Sequence, residues 1–467
     1  MKYNEYSFKD LLSVIVDNRG KTCPAVESGI PLIATNCIKN DHLYPIYENI
    51  RYVSQETYDT WFRGHPKPGD MIFVCKGSPG RVSWVPDPIE FCIAQDMVAI
   101  RADETKVYPE YLFALLRSEG TQKQIVNMHV GTLIPHFKKS DFGKLFLQIP
   151  DDYEYQKMVG NNYFKFCEKI AINRQINQTL ESMAQAIFKS WFVDFDPVKT
   201  KIAAIEAGED AEGITHAAMR AISGKTDDEL NQMQAGQPEN YARLKTTAGL
   251  FPSSMQDSEM GDVPEGWGLK PLYETAEYVN GAAFKAKYFS DNRSGLPIIK
   301  IAELKQGISS GTKYTNENVK KKYFIDNDDV LYSWSGSPET SLEVFKWFGG
   351  KGYLNQHIFK LNFENSQQKY FTYFLLQHMK PLLIRTAQQK QTTGLGHVTV
   401  ADMKRMLVVY PDNQTLTRFS EVVGSIYEQN SILQRENSKL VALRDTLLPK
   451  LLSGELSIDA IEMVRGK

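Results

Sequence analysis

EKIAINRQINQTLESMAQAIFKSWFVDFDP, from Glu168 to Pro197, and EQNSILQRENSKLVALRDTLLPKLLSGEL, from Glu428 to Leu456, decide how this chain is built. Set 260 residues apart, they place Ile172 on Ile432, Leu180 on Leu440, Met183 on Leu443 and Ile187 on Leu447. Phe188 and Trp191 fall on Leu448 and Leu451. Both stretches read as long helices. Phe166, Ile170, Asn173, Asn177, Leu180, Ala184, Ile187 and Trp191 alternate spacings of four and three, as a coiled-coil seam does. The second seam is Ile426, Asn430, Leu433, Asn437, Leu440, Arg444, Leu447 and Leu451. Asn177 and Asn437 are equivalent, and an Asn in an apolar seam gives up stability to fix register and partner number. Packing of each helix on its own domain is the competing reading, but matching stripes make the two helices ready partners.

Outward from the helices, the blocks before each copy also match. GLPIIKIAEL (295–304) answers GIPLIATNCI (29–38), and DDVLYSWSGSP (328–338) answers GDMIFVCKGSP (69–79). YFTYFLLQH (370–378) answers EYLFALLRS (110–118), and HVTVADMKRMLVVYP (397–411) answers HFKKSDFGKLFLQIP (136–150). Runs of β-branched and aromatic residues bounded by Gly, Pro, Asn and Asp predict strands, and the Tyr111, Leu112, Leu115, Leu116 spacing predicts a helix over 108–129. The expected architecture is α+β: two duplicated mixed domains (1–150 and 265–412), each followed by a long helix (151–197 and 413–467). Asp196-Pro197 is expected to end the first helix. Residues 198–264, poor in large apolar side chains, are expected to be an acidic connector with one or two short helices, ITHAAMRAI and DDELNQM. VPEGW (263–267) leads into the next domain.

Composition bounds the function. With 467 residues the chain exceeds one hydrophobic core. Its 42% hydrophobic and 24% charged residues are those of an ordinary globular protein. No apolar run approaches the ~20 residues that cross a bilayer, and the polar start MKYNEYSFKD is not a signal peptide. Five cysteines without a CxxC pair favour reduced thiols over disulfides or zinc. The net charge of −2 conceals a pattern: residues 196–264 hold 6 Lys and Arg against 12 Asp and Glu, while 265–412 hold 19 against 14. A basic domain is compatible with a polyanionic partner, although solvated lysines explain it equally.

Catalytic patterns are not met. NRGKT (18–22) and SGKT (223–226) lack the upstream Gly of a phosphate-binding loop, having Ile15 and Met219 there. Asp291 with Glu303-Leu304-Lys305 imitates a nuclease site, but the first repeat has Cys37 and Lys39 for the pair. The eight histidines lack metal spacing. His136 and His397 occupy equivalent places before a strand, where a local turn role suffices. What remains suits recognition. Lys76, Ser78 and Arg81, with Ser335 and Ser337 of the twin loop, set small or cationic hydrogen-bonding groups at a strand end. Lys138, Lys139, Lys313, Gln389 and Lys390 extend this set, since Gln pairs with adenine and Lys with guanine or phosphate. A plain hairpin turn and a solvated surface are the alternatives for these residues.

The blocks QAIFKSWFVDFDPV (185–198), VPEGW (263–267) and RDTLLPKLLSGEL (444–456), with the duplicated domain-plus-helix units, resemble the specificity (S) subunits of type I restriction–modification systems. The resemblance spans essentially the whole chain. It implies a non-catalytic subunit of a cytoplasmic DNA endonuclease and adenine methyltransferase. Each domain would read one half of a split double-stranded DNA target, with the helices as an antiparallel coiled-coil spacer. Methyltransferase and restriction subunits would be its partners, with S-adenosylmethionine, ATP and magnesium bound on them and not on this chain; no metal, cofactor or membrane partner is implied here. Ile187, Trp191, Phe192 and Phe195, with Leu447, Leu448, Leu451 and Leu452, match the helix-end motifs and would serve inter-helix packing or subunit docking. At 1.5 Å per residue the segment 156–192 would run about 55 Å, separating the readers by roughly 11–16 base pairs. Two rival readings remain: a free-standing DNA-binding regulator, and a self-sufficient nuclease or methyltransferase.

Overall fold

The chain before each long helix folds twice by the same plan in the computed structural model, which describes residues 2–18, 22–128, 135–390 and 395–456. The parts of NRGKT, of the turn before His136 and of the Gln391-Thr392-Thr393 run that fall between these ranges lie outside the described residues.

In the N-terminal domain an antiparallel sheet runs Leu12–Asp17, Met97–Ala102, Met71–Val74, Val82–Trp84 in spatial order. Its counterpart runs Glu277–Asn280, Ile358–Asn362, Val330–Ser333, Glu343–Lys346. Met71–Val74 and Val330–Ser333 are buried at every position, which is why GDMIFVC and DDVLYSW read as unbroken apolar runs and not as alternating ones. A second sheet in each domain pairs its first strand in parallel with a later one: Ile30–Ile33 with Cys92–Ile93, and Leu296–Ile299 with Gly352–Leu354. A two-stranded ribbon closes each domain, Tyr3–Ser7 with Phe146–Pro150 and Gly268–Pro271 with Leu407–Tyr410. The helix expected over 108–129 is two, Pro109–Arg117 and Glu119–Asn127, because Ser118 leaves the helical conformation and caps the second through Thr121 N–H.

The chain divides into two compact units. One holds residues up to Gln175 together with those from Glu436; the other is Ile176–Arg435. Each long helix, Tyr153–Phe192 and Asn413–Leu452, therefore contributes to both. In the first unit the two helical segments run in opposite directions. Asn173 Nδ2 donates to Asn437 Oδ1 at 3.0 Å and to Glu436 at 2.8 Å, while the Tyr155 hydroxyl donates to the Leu451 carbonyl at 2.5 Å. In the second unit Asn430 Nδ2 donates to the Asn177 carbonyl at 3.2 Å, and Trp191 meets Phe419 with ring centroids 5.9 Å apart. These segments too are antiparallel. No seam position predicted from the sequence is exposed.

The aromatic helix end is core. Trp191 packs edge-on to Phe251, Phe192 on Phe371 and Trp267, and Phe195 on Trp267, all within the second unit. Leu448 and Leu451, with Leu447 and Leu452 beside them, complete the core of the first unit around Tyr111 and Tyr155. Of the two roles left open for Trp191, Phe192, Phe195, Leu448 and Leu451, the structure shows intrachain packing: the chain itself covers them.

Two further expectations are corrected. Pro197 does not end a helix but opens one, Asp196–Glu206, in whose first turn a missing N–H loses no bond. The break falls before it, at Phe195 with φ 55°. Residues 198–264 are more than a connector. Helices Ala211–Ser223, Asp227–Gly236 and Pro238–Gly249 follow, sharing a small core of Ala218, Met219, Leu230, Tyr241, Leu244 and Ala248. SGKT is the turn between two of them: Gly224 terminates one at φ 66°, and Thr226 caps the next with Glu229. Among the described residues no helix is long and apolar enough to cross a membrane.

Leu451→Ala is expected to cost about 2–5 kcal/mol, as other buried leucines do. Its effect should appear in the N-terminal domain: limited proteolysis with mass mapping should find new cuts within residues 2–175. Cuts confined to the neighbourhood of residue 451 would contradict the shared core.

Candidate nucleic-acid interface

The two features predicted separately, the Gly-Ser-Pro loop and the histidine turn, meet in each domain. In the first, Lys76 bridges His136 in antiparallel fashion. Phe137 N–H donates to the Cys75 carbonyl at 2.7 Å, and Gly77 N–H to the Pro135 carbonyl at 3.0 Å. In the second, Ser335 pairs with His397 and Gly336 with Gly396, and Val398 N–H donates to the Trp334 carbonyl at 3.0 Å. The loop needs its glycines. Gly77 and Gly336 adopt φ 83° and 122°, and a Cβ on Gly396 would stand 2.5 Å from the Ala387 carbonyl oxygen.

A turn residue joins each pair, and sequence reasoning missed it. Cys75 and Lys76 N–H both donate to the Asp96 carbonyl, at 2.8 and 3.2 Å. Trp334 N–H donates to the His357 carbonyl at 3.4 Å. Asp96 and His357 stand at equivalent places before the next sheet strand, but they share no residue type, so nothing in the repeat flagged them. On the far side the edge strands end at Asp17 and Asn280.

One scaffold thus carries two chemistries. The first cradle is ionic: Lys76 Nζ lies 3.9 Å from Asp96, and Lys139 pairs with Asp17, all four partly exposed. Cys75 beneath it is inert, since burial pushes its thiol up to about 12. The second cradle is aromatic and carries an amide. Trp334 donates its indole N–H to Asn280 Oδ1 at 3.2 Å and lies with its ring centroid 5.8 Å from His357 and 6.4 Å from His397. Asn280 also lines an open cleft of roughly 540 Å³ with Lys321, Lys322, Tyr323 and Lys360.

The other predicted residues divide. Ser78 and Arg81 belong to the first loop, partly exposed, and Lys138 is exposed at the start of the 3-10 turn holding Lys139. Ser337 heads the short helix Pro338–Ser341, and Gln389 is exposed at the end of Lys380–Gln388. Lys313 is exposed on the domain's other sheet, its carbonyl accepting from Ile298 N–H. Lys390 is already engaged. It donates to both Asp402 oxygens, at 2.5 and 2.6 Å, alongside Thr399 Oγ1 at 2.6 Å and Arg405 at 2.9 Å. Burial alone would raise the Asp402 pKa, but the bonds from Lys390 and Thr399 hold it well below the usual carboxylate range. Lys390 thus clamps the turn after His397. Glu303 sits on a helix, not a strand, and is used up locally, accepting from Thr312 and from Lys300 N–H at 3.0 Å each. Among the described residues no group of three His, Cys, Asp or Glu is placed to hold a metal.

The sequence matches the type I restriction modification DNA specificity domain over residues 2–182 and again over 264–440. The chain belongs to that family. Two copies of the specificity domain thus coincide with the two structural repeats. Relatives include the type I restriction enzyme HindI specificity subunit of Haemophilus influenzae, 29% identical over 84% of this chain and 87% of that one. The MjaIX specificity subunit of Methanocaldococcus jannaschii is 21% identical over 76% and 71%. A solved type I restriction–modification S subunit from M. genitalium is 14% identical, covering 97% of this chain and 96% of its own, with a TM-score of 0.49.

Asp402→Asn in this specificity-domain protein should destabilise it at neutral pH by about 1.5–3 kcal/mol, the worth of hydrogen bonds to a charged group. Because the folded pKa is lowered, this contribution is complete above the unfolded carboxylate value near 4 and fades as pH falls below it. Denaturant melts at pH 7 and pH 3 should show the wild-type advantage shrinking with acid.

Proposed function

We infer that this chain is the DNA-sequence-recognition subunit of a type I restriction–modification complex, non-catalytic itself. The observation that carries this reading is the pair of cradles: one backbone frame built twice, with ionic groups in one copy and an indole, amide and imidazoles in the other. Identical readers would suit a palindrome. Unlike readers on a duplicated scaffold suit a split, asymmetric double-stranded DNA site, with hydrogen bonds to base edges specifying and lysines positioning. A free-standing regulator would have no need of the family's paired-domain plan.

In this reading the two long helices form an antiparallel coiled coil that acts as the spacer. The partners are methyltransferase and restriction subunits, which would carry S-adenosylmethionine, ATP and magnesium in the cytoplasm; this chain uses no membrane. For docking we assign the apolar positions that the chain leaves uncovered. Ile172 and Met183 are 48% and 51% exposed, and their repeat equivalents Ile432 and Leu443 are 54% and 50% exposed. Solvent alone gives no reason to keep an apolar residue at the same place in both repeats.

Co-expression with an adenine methyltransferase subunit, followed by mapping of methylated adenines, tests the reading. Two unlike half-sites at a fixed spacing are expected; a single contiguous or palindromic motif, or turnover by the chain alone, would refute it. Inserting seven residues at matched points of both helices keeps the seam in phase and adds about 10 Å, so the spacer should lengthen by roughly 3 base pairs. An unchanged spacing would end the ruler idea.

A further inference from the structure

We propose that Asn280 is the residue with which the second domain reads an adenine, and that Trp334 is its positioning residue. This rests on the DNA-recognition reading above. Asn280 is exposed at the end of the edge strand Glu277–Asn280, where a side chain can enter a groove without disturbing the sheet. Lys321 and Lys322 line the same cleft, and their ammonium groups would serve flanking phosphates.

The orientation of its amide is chemically determined. An indole N–H can only donate, so the Asn280 atom 3.2 Å from Trp334 Nε1 must be the oxygen. The Nδ2 group is thereby turned away, and among the described residues it makes no hydrogen bond. Asn280 therefore presents two donor hydrogens beside the second lone pair of Oδ1. One donor next to one acceptor is the complement of adenine N7 and N6 in the major groove. Trp334 can act as a stop because it is itself held: its ring lies 5.8 Å from Phe359 and from His357, between the sheet and the cradle. An amide locked in this way loses little rotamer freedom on binding. The first domain has no such device, since Cys75 stands where Trp334 does.

The test is a library of duplexes randomised across both half-sites, methylated by the complex of this chain with its methyltransferase subunit. Asn280→Ala should abolish the preference at one A·T pair in one half-site, by roughly 10-fold or more. The other half-site and the spacing should keep their wild-type pattern as the internal control. Trp334→Phe retains a ring against Phe359 but removes the N–H. It should relax the same base pair, and the double variant should relax it no further than Asn280→Ala. A Trp334→Phe effect spread evenly over all positions would make the indole merely structural, and the proposal would fall. It would fall equally if Asn280→Ala left every position unchanged or relaxed a G·C pair. Absence of a two-part site in the wild type would instead overturn the reading beneath it.

Discussion

Four buried or half-buried asparagines set the register on which everything else depends. Asn173 donates to Asn437 in one unit, and Asn430 donates to the Asn177 backbone carbonyl in the other, between helix segments whose facing residues are mostly apolar. Sliding the helices by a turn would break the bonds donated by Asn173 and Asn430, at about 1–3 kcal/mol for each buried donor left unpaired. Leucines in their place would bind harder and tolerate slippage. The amides fix which residue faces which, and the aromatic clusters at the helix ends then find their sockets.

Much of this was legible in the sequence because duplication supplies its own control. A stripe seen once is an amphipathic helix; the same stripe seen again after a matching run of blocks is architecture. The Gly-Ser-Pro loops and histidine turns survived as readable marks because their backbones demand particular residues, Gly336 and Gly396 above all. His357 carries no such demand, and Asp96, at φ 75°, is one of the few residue types besides Gly that tolerate the left-handed region. They contribute a carbonyl to the frame and unlike side chains to the surface, which is why the repeat could not announce them.

The helices between Pro197 and Gly249 were legible only in part: ITHAAMRAI and DDELNQM fall in Ala211–Ser223 and Asp227–Gly236, while Asp196–Glu206 and Pro238–Gly249 went unread. Their core is assembled from Ala218, Ala248, Met219 and a few larger residues, so composition registered only acid and glycine. Short helices with good caps, such as Asp210 and Thr226, need little apolar surface each when they fold against one another. The partner of Lys390 was hidden in the same way: its sequence neighbours are glutamines, and the carboxylate that holds it lies twelve residues on.

The contact between Tyr155 and Leu451 also has a meaning for the order of synthesis. The two residues are 296 positions apart, and the core around Tyr111 is not closed until Leu448 and Leu451 arrive. On the ribosome, the domain that emerges first is therefore the one that finishes last. Until then it must persist with an apolar flank uncovered. Joining the ends over such a distance costs about 5 kcal/mol of chain entropy, and it makes an incomplete chain recognisably incomplete at its very beginning.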